Sequence, residues 1–187
     1  MPERCEIVLA AFLALAFLPL AVLAAVAIRV TSRGPVLFRQ RRVGRGASEF
    51  MIYKFRTMHV DAESESGPVL ARDGDDRVTS VGRILRATRI DELPQLVNVL
   101  NGDMSLVGPR PERPELAAEF VRRIPRYAER WQVKPGITGL AQVRADYHTS
   151  AEEKLTYDLS YVARRSLALD LRILAATARA VATGAGV

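Results

Sequence analysis

A long apolar run near the N-terminus places the strongest constraint on how this chain can fold. From Ile7 to Ile28 the sequence reads IVLAAFLALAFLPLAVLAAVAI, without a charged or strongly polar side chain. A stretch of about 20 apolar residues is long enough to cross a lipid bilayer as a helix. We therefore predict a membrane-inserted segment over residues 1–30, followed by a domain outside the hydrocarbon layer over residues 31–187.

Three topologies fit an apolar segment of this kind. Ala25, Val26 and Ala27 resemble a signal-peptide cleavage site, but the run is longer than the ~7–15 residues of such peptides. Pro19 lies in the middle of the run, where it removes a backbone hydrogen bond and clashes with the preceding turn. A kink at Pro19 would return the chain to the face it entered from, as a re-entrant hairpin. Proline is also common in spanning helices, so the residues alone leave the spanning and re-entrant forms open.

Positive charge dominates the chain after the apolar run. The formal net charge is +6 and the isoelectric point is near 10.0, which favours anionic partners such as lipid headgroups, nucleic acid or phosphorylated small molecules. The stretch that follows the run carries no acid up to position 45 and these arginines: Arg29, Arg33, Arg39, Arg41, Arg42 and Arg45. By the positive-inside tendency, this flank and the domain after it face the cytoplasm. Cys5 is the only cysteine, which excludes a disulfide within the chain.

The pattern beyond residue 30 is typical of an α+β domain that is mainly helical. GPVLFRQRRVG and EFMIYKFRTM are short β-type runs joined by Gly-Arg-Gly, which predicts a β-hairpin. Residues 61–79 are polar and predict a long loop. Helices are predicted over residues 80–90, 92–101, 115–124, 126–133, 151–165 and 167–182. The last of them is apolar with interleaved arginines, as in an amphipathic helix on a membrane surface.

Two adjacent acids stand before a proline in the stretch RIDELPQL. The leucines and valine that follow have the i, i+3, i+4, i+7 spacing of a buried helix face. Pro94 is tolerated only in the first turn of such a helix, so Asp91 and Glu92 are predicted at its N-terminus, where negative charge is favoured. An ordinary helix cap, worth ~1 kcal/mol, is the simpler explanation of these acids.

A surplus of cations around the acids suggests a second explanation. Arg86 and Arg89 lie upstream within helical reach, and Arg110 is held between two prolines in the stretch GPRPERP. Together with Lys54 and Arg56, these cations could hold a phosphate beside a carboxylate nucleophile. Mg²⁺ takes one or two carboxylates plus phosphate oxygens, which Glu92 could satisfy. A solvated basic surface would explain each single arginine equally well.

Other motifs are absent or weak. The chain contains neither G-x-x-x-x-G-K-[ST] nor G-x-G-x-x-G. Asp73 and Asp75 resemble the D-x-D metal motif of nucleotide-sugar glycosyltransferases, but no β-type run precedes them. His59 and His148 are far apart in sequence and are predicted to lie at the surface.

Taken together, the chain resembles the bacterial sugar transferase family, the monotopic phosphoglycosyl transferases of cell-surface glycan assembly. The resemblance runs nearly the full length, through the apolar run with Pro19, GPVLFRQRRVG, YKFRTM, LRATRIDELPQLVNVLNGDMSLVGPRP, VKPGITGLAQV and EEKLTYDLSYVARRSLALDLRIL. The long central block is highly specific.

The resemblance implies both a topology and an activity. The N-terminal helix would be re-entrant and broken at Pro19, with a small catalytic domain on the cytoplasmic face of the bacterial inner membrane. The enzyme would transfer a sugar-1-phosphate from a UDP-sugar to polyprenyl (undecaprenyl) phosphate and release UMP. This would be the first membrane step of a surface glycan pathway, such as exopolysaccharide, O-antigen, capsule or glycoprotein. Membrane lipids are implied partners, a homo-oligomer is compatible with the resemblance, and nucleic acid is not expected to bind.

The resemblance also implies roles for particular residues. Asp91 would attack the sugar-bearing phosphate and become covalently phosphorylated, while Glu92 would bind Mg²⁺. The cations expected to contact phosphate or substrate are Lys54, Arg56, Arg86, Arg110 and Arg144. The residues expected to give structural support are Pro109, Pro111, Asp158 and Asp170.

Two positions depart from the family pattern. Many members carry Asn-Gly-Arg where this chain has Arg144-Ala145-Asp146, so contacts to the donor are expected to differ there. Leu18 stands where some members have serine, which removes a hydroxyl next to the helix break. A membrane-tethered basic scaffold that binds anionic lipid or nucleic acid is the alternative function, and it would not need the acid pair.

Overall fold

The computed structural model describes residues 1–62, 75–145 and 149–183. Its helices are α1 (Glu3–Ala16), α2 (Leu18–Thr31), α3 (Ser80–Ala87), α4 (Gln95–Leu100), α5 (Pro114–Arg123), α6 (Leu140–Arg144), α7 (Ala151–Arg164) and α8 (Leu167–Thr183). The strands are β1 (Leu37–Val43), β2 (Glu49–Phe55), β3 (Ser105–Val107) and β4 (Gly136–Thr138). Short 3₁₀ helices cover Arg45–Ala47, Ile90–Glu92 and Tyr127–Gln132. The prediction of a mainly helical α+β fold is confirmed.

The predicted hairpin is confirmed as the antiparallel pair β1–β2, in which Leu37 is paired with Phe55 and Val43 with Glu49. The predicted helices near the C-terminus are also confirmed, and α7 begins with a capping box between Ser150 and Glu153. Three of the other predicted helices differ from the structure. Helix α3 ends at Ala87, α4 begins at Gln95, and residues 126–133 form a 3₁₀ helix. The parallel pair β3–β4 was not predicted.

The apolar run folds as two helices that meet at Phe17. Pro19 lies in the first turn of α2, where its missing N–H removes a bond to the preceding turn. Among the described residues no single helix is long and apolar enough to cross a membrane, and α1 with α2 meets that length and composition only as a pair bent by 56°. The predicted break near Pro19 is therefore present.

Both helices of the apolar run contribute to the core of the body. Ala10 of α1 is buried in a cluster with Val99, Leu106 and Tyr161. Ile28 of α2 is buried in a second cluster that includes Leu85 of α3. The outward sides of α1 and α2 expose large apolar side chains, among them Val8, Phe12, Leu15, Leu23 and Val30. One face of the pair thus packs on the body, and the other is suited to lipid.

Asn98 fixes the hairpin on α4. Its side chain is fully buried, donates to the carbonyl of Met51 at 2.7 Å, and accepts from the amide of Tyr53 at 3.1 Å. A buried amide that bonds the backbone of a strand sets the position of that strand along the helix. The next residue of β2 is Lys54, so the Asn98 contacts determine where the Lys54 side chain begins.

The β3–β4 pair requires glycine at a close approach of two backbones. A Cβ on Gly108 would lie 2.4 Å from the carbonyl oxygen of Lys134 and 2.8 Å from the amide nitrogen of Gly136. Because both atoms belong to the backbone, neither can move aside as the end of a side chain could. The chain can therefore continue from β3 directly into the loop that carries Arg110.

Candidate active site

The acid pair lies in a 3₁₀ turn rather than at the first residues of a helix. Arg89 takes the left-handed conformation, with φ at 55°, and redirects the chain after α3. Asp91 and Glu92 follow in that turn, and α4 begins only at Gln95. Neither helical start has a side-chain cap bond, so the structure does not support the alternative explanation of Asp91 as an ordinary helix cap. Both acids are buried, which an ordinary cap would not require.

Glu92 is surrounded by cations. Its Oε1 accepts from Lys54 Nζ at 2.7 Å and from Arg110 Nη2 at 3.1 Å, while its Oε2 lies 3.8 Å from Arg89 Nη1. Burial by itself would raise the pKa of Glu92, but Lys54 and Arg110 outweigh burial and hold that pKa well below the usual range. Glu92 is therefore a permanent anion at the centre of the cation cluster.

For Asp91, the effect of burial on the pKa outweighs the effect of the nearby cations. Burial raises the pKa of its carboxyl above the ordinary value, and the adjacent Glu92 acts in the same direction. Lys54, Arg110 and, more weakly, Arg86 oppose this increase. A carboxylate with a raised pKa is more basic, and a more basic carboxylate is a better nucleophile once it is ionised.

The two main cations differ in how firmly they keep their charge. Burial lowers the pKa of Lys54, and Glu92 offsets part of the change. Glu92 instead raises the pKa of Arg110, which remains charged at every accessible pH. Arg86 joins them from α3, where its Nε donates to Thr57 Oγ1 at 2.8 Å. Lys54, Arg86 and Arg110, which are distant in sequence, thus lie close enough to the acid pair to affect its charge.

The loop that carries Arg110 is bonded on both sides. The carbonyl of Pro109 accepts from the amide of Gly136 at 3.0 Å, and the carbonyl of Pro111 accepts from Arg42 Nη1 at 3.0 Å. Both prolines are buried. Fixed φ angles at Pro109 and Pro111 limit the directions available to Arg110 between them.

Arg130 also supports this loop, and no sequence motif had indicated it. Its Nη2 donates to the carbonyl of Arg110 at 2.9 Å and lies 2.7 Å from Asp158 Oδ2. Its Nη1 donates to Tyr127 Oη at 2.5 Å, and the guanidinium lies 4.9 Å from the centre of that ring. Arg130 and Asp158 are both buried. Asp158 therefore supports the site by holding Arg130.

Asp170 and Glu6 are two further buried acids. Asp170 Oδ1 lies 2.8 Å from the hydroxyl of Tyr161, which is also 3.0 Å from the carbonyl of Val107 in β3. Glu6 of α1 accepts from the hydroxyl of Ser105 and, at 2.7 Å, from the amide of Leu106. Asp170 is thus linked through Tyr161 to β3, and its supporting role stays a prediction. Glu6 was missed, although a lone acid beside a membrane-inserted run is a reason to look for a buried partner.

Two predicted cations lie outside the cluster. The Arg56 guanidinium is buried against the end of α2, where it donates to the carbonyl of Arg33 at 2.5 Å and to Ser32 Oγ at 2.7 Å. Arg56 therefore joins the end of the apolar helix pair to the residues that follow β2. Arg144 is the exposed last residue of α6, and within the described residues it forms no ion pair or hydrogen bond with the acids. The neighbouring Asp146 lies outside the described residues.

The described residues contain no group of three or more His, Cys, Asp and Glu side chains that could hold a metal ion. Mg²⁺ commonly binds one or two carboxylates together with substrate phosphates, and Asp91 and Glu92 could supply that smaller share. In the alternative D-x-D motif, Asp75 is held by Arg77 at 2.6 Å, and Asp73 lies outside the described residues. His59 is exposed, and His148 also lies outside the described residues.

A buried acid pair with perturbed pKa values, enclosed by cations on a small α+β body, is typical of an active site that handles anionic groups. Residues 2–184 match the family described as bacterial sugar transferase. The chain belongs to this family, as its sequence segments indicated.

Three relatives show how the similarity is distributed. A UDP-glucose:undecaprenyl-phosphate glucose-1-phosphate transferase of Caulobacter vibrioides is 49% identical, over 95% of this chain and 68% of the relative. A UDP-N-acetylgalactosamine-undecaprenyl-phosphate N-acetylgalactosaminephosphotransferase of Aeromonas hydrophila is 48% identical, over 96% of this chain and 43% of the relative. An exopolysaccharide production protein of Rhizobium leguminosarum bv. phaseoli is 41% identical, over 90% and 88%. The chain thus spans less than half of the Aeromonas relative.

Proposed function

We propose that this chain transfers a sugar-1-phosphate from a UDP-sugar to undecaprenyl or a similar polyprenyl phosphate and releases UMP. The observation that carries the proposal is the buried Asp91 carboxylate beside Glu92, with Lys54 and Arg110 paired to Glu92 and acting electrostatically on Asp91. The names of the relatives support the same donor and acceptor classes, although their sugars differ. The donor is therefore proposed as a UDP-sugar, without a particular sugar.

The first step begins at the Asp91 carboxylate. One of its oxygens attacks the sugar-bearing phosphorus of the UDP-sugar, and the bond from that phosphorus to the bridging oxygen breaks. UMP leaves with the bonding electrons, and the sugar phosphate remains bonded to Asp91 as an acyl phosphate. Lys54 and Arg110 offset the repulsion between the carboxylate and the phosphate oxygens.

The second step returns the enzyme to its starting state. An oxygen of polyprenyl phosphate attacks the same phosphorus, the bond to Asp91 breaks, and the carboxylate is restored. The products are the polyprenyl diphosphate sugar and the free enzyme. Two displacements at one phosphorus allow a polar donor and a lipid acceptor to use the site in turn.

The role of Glu92 in this scheme is to hold the cations and to present a metal ligand. Glu92 would hold Mg²⁺, which when bound would offset the negative charge of the phosphate groups. We expect chelation with EDTA to abolish UMP release and added Mg²⁺ to restore it. Activity that persists in EDTA would contradict the metal proposal alone.

The decisive experiment replaces the nucleophile without changing its shape. Asp91→Asn is expected to abolish UMP release from UDP-glucose or UDP-N-acetylgalactosamine with Mg²⁺ and undecaprenyl phosphate. The matched control is Asp76→Asn, because Asp76 is an exposed acid. Mass spectrometry of the wild type with donor alone should detect the sugar phosphate on Asp91. Full activity of Asp91→Asn would disprove the nucleophile, and release of UDP would indicate direct glycosyl transfer.

A membrane-tethered basic scaffold would behave differently. Its binding would weaken steeply with salt and would not depend on Asp91 or Glu92. Scaffold proteins have no need to bury two adjacent acids among cations, so the site favours the enzyme.

We further propose that α1 and α2 form a re-entrant hairpin, which places the catalytic body on the cytoplasmic face of the bacterial inner membrane. The support is the 56° bend between α1 and α2 and the Glu6 contact that holds α1 on the body. Cys5, the sole cysteine, is exposed and reports the side on which α1 begins. A membrane-impermeant thiol reagent should label it only from the cytoplasmic side. In a Cys5→Ser background, Ala118→Cys reports the side of the body, and labelling of the two positions from opposite sides would mean a spanning helix.

A further inference from the structure

An apolar groove leads away from the acid pair toward the membrane helices. It has a volume of about 180 Å³ and an almost wholly apolar lining. Leu13 and Phe17 of the membrane segment form one wall, and Leu174 and Val181 of α8 form another. Glu92 lies at its border, directly after Asp91 in sequence.

The groove offers little to a sugar or a nucleotide. Two threonines line it, but their hydroxyls bond each other, with Thr138 Oγ1 and Thr177 Oγ1 only 2.7 Å apart. Thr177 Oγ1 also donates to the carbonyl of Ile173 at 2.9 Å. Because polar substrates need unpaired partners in a buried site, the lining favours hydrocarbon.

The positive charge of Arg89 at the border of the groove indicates which kind of hydrocarbon ligand fits it. Arg89 lines the groove on the side of the acid pair, and its guanidinium is partly exposed. A cation beside a long apolar lining suits an amphiphile with an anionic head and a hydrocarbon tail. The groove is slightly larger than the apolar cavity of about 150 Å³ that can hold a benzene molecule, so it accommodates at least one isoprene unit.

We infer that this groove binds the first isoprene units of the polyprenyl phosphate acceptor, with Arg89 facing its phosphate. The inference rests on the proposed function and adds the place where the lipid is held. Phe17 lies at the junction of α1 and α2, so the rest of the polyprenyl chain can continue along the apolar helices into the bilayer. The phosphate then lies next to Asp91, as the second displacement requires.

Filling the groove tests the inference. Leu174→Trp and Val181→Trp each place a large side chain in it, and Val181 lies at an exposed position where an indole does not disturb the core. Leu171→Trp is the matched control, because Leu171 is on the same helix, is exposed and does not line the groove. Each protein is assayed in nanodiscs with undecaprenyl phosphate and with farnesyl phosphate.

The expected result separates the two half-reactions. Exchange of labelled UMP into the UDP-sugar, which does not need the lipid acceptor, should stay within about twofold of wild type. The KM for both lipid phosphates should rise about tenfold or more in the groove variants and stay unchanged in Leu171→Trp, because each buried methylene contributes to binding.

Failures of the inference and of the proposed function are distinguishable. If the wild type neither releases nor exchanges UMP with either donor, the proposed function fails and the inference fails with it. If the wild type is active but both groove variants keep the wild-type KM for the lipid phosphates, only the inference is overturned. In that case the groove holds something other than the acceptor, such as the acyl chain of a bilayer lipid.

Discussion

Arg130 provides the sharpest test of how the site is built, because it combines a buried ion pair with a bond to the active-site loop. In Arg130→Met the buried Asp158 loses the guanidinium that lies 2.7 Å away. Removing one partner of a buried ion pair typically costs about 3–5 kcal/mol, since the other charge remains buried without compensation. In a chain of this size we expect the melting temperature to fall by roughly 6–20 °C.

Removal of the second charge should reverse part of that loss. In Arg130→Met with Asp158→Asn no buried charge is left unpaired, so at least about 2 kcal/mol of stability should return. Activity should not return with it, because the carbonyl of Arg110 still lacks its donor at 2.9 Å. A bond from a charged donor contributes about 1.5–3 kcal/mol, so kcat/KM should stay reduced by about tenfold or more.

The assay measures thermal unfolding by circular dichroism in detergent and UMP release on the same samples. Arg123→Met is the matched control, because Arg123 forms an exposed ion pair with Glu119, for which a loss of less than about 1 kcal/mol is expected. The reasoning is refuted if Arg130→Met costs no more than the control. It is equally refuted if the double variant is no more stable than Arg130→Met, or if it regains full activity.

Three further predictions concern other parts of the molecule. Gly82→Ala should lower stability by about 1–3 kcal/mol in thermal unfolding, because the new Cβ would lie 2.0 Å from the carbonyl oxygen of Thr57; a neutral result would show that α3 can shift freely. The acidic limb of the pH profile of kcat/KM should lie above the ordinary pKa of an aspartate, because burial raises the pKa of Asp91 and activity is lost as the pH falls through it; a limb at the ordinary value would contradict this. Glu6→Ala should cost about 1–3 kcal/mol in thermal unfolding, because the amide of Leu106 loses its acceptor, and an unchanged melting temperature would count against the contact.

The sequence predicted those parts of the fold that have a local pattern. The hairpin has β-type runs on either side of a glycine-rich joint, and α7 has its capping box within four consecutive residues. Strands β3 and β4 have only three residues each, which is too short for an alternation to be visible. Their pairing is evident only once the backbones of Gly108 and Gly136 are seen in contact.

Site residues that lie in a sequence segment shared with the family could be predicted. Residues whose role depends on tertiary contacts could not. Lys54 and Arg56 are two residues apart and would share one face if the strand continued through both. Strand β2 ends at Phe55, however, and the Arg56 side chain bonds the carbonyl of Arg33 just after α2. Glu6 meets a partner 99 residues away, for which no local pattern exists. The same is true of Arg130, whose value to the site depends on a carbonyl in a different loop.

The burial of Ala10 and Ile28 among body residues has a practical consequence for work on this enzyme. A shortened chain that begins at residue 31 would lose Ala10 and Ile28 from the two core clusters, and with them the Glu6 contact to β3. Such a fragment would expose Val99 and Leu85 to water instead of forming a convenient water-soluble version of the catalytic body. Purification therefore has to retain the apolar helices and keep their exposed apolar side chains covered.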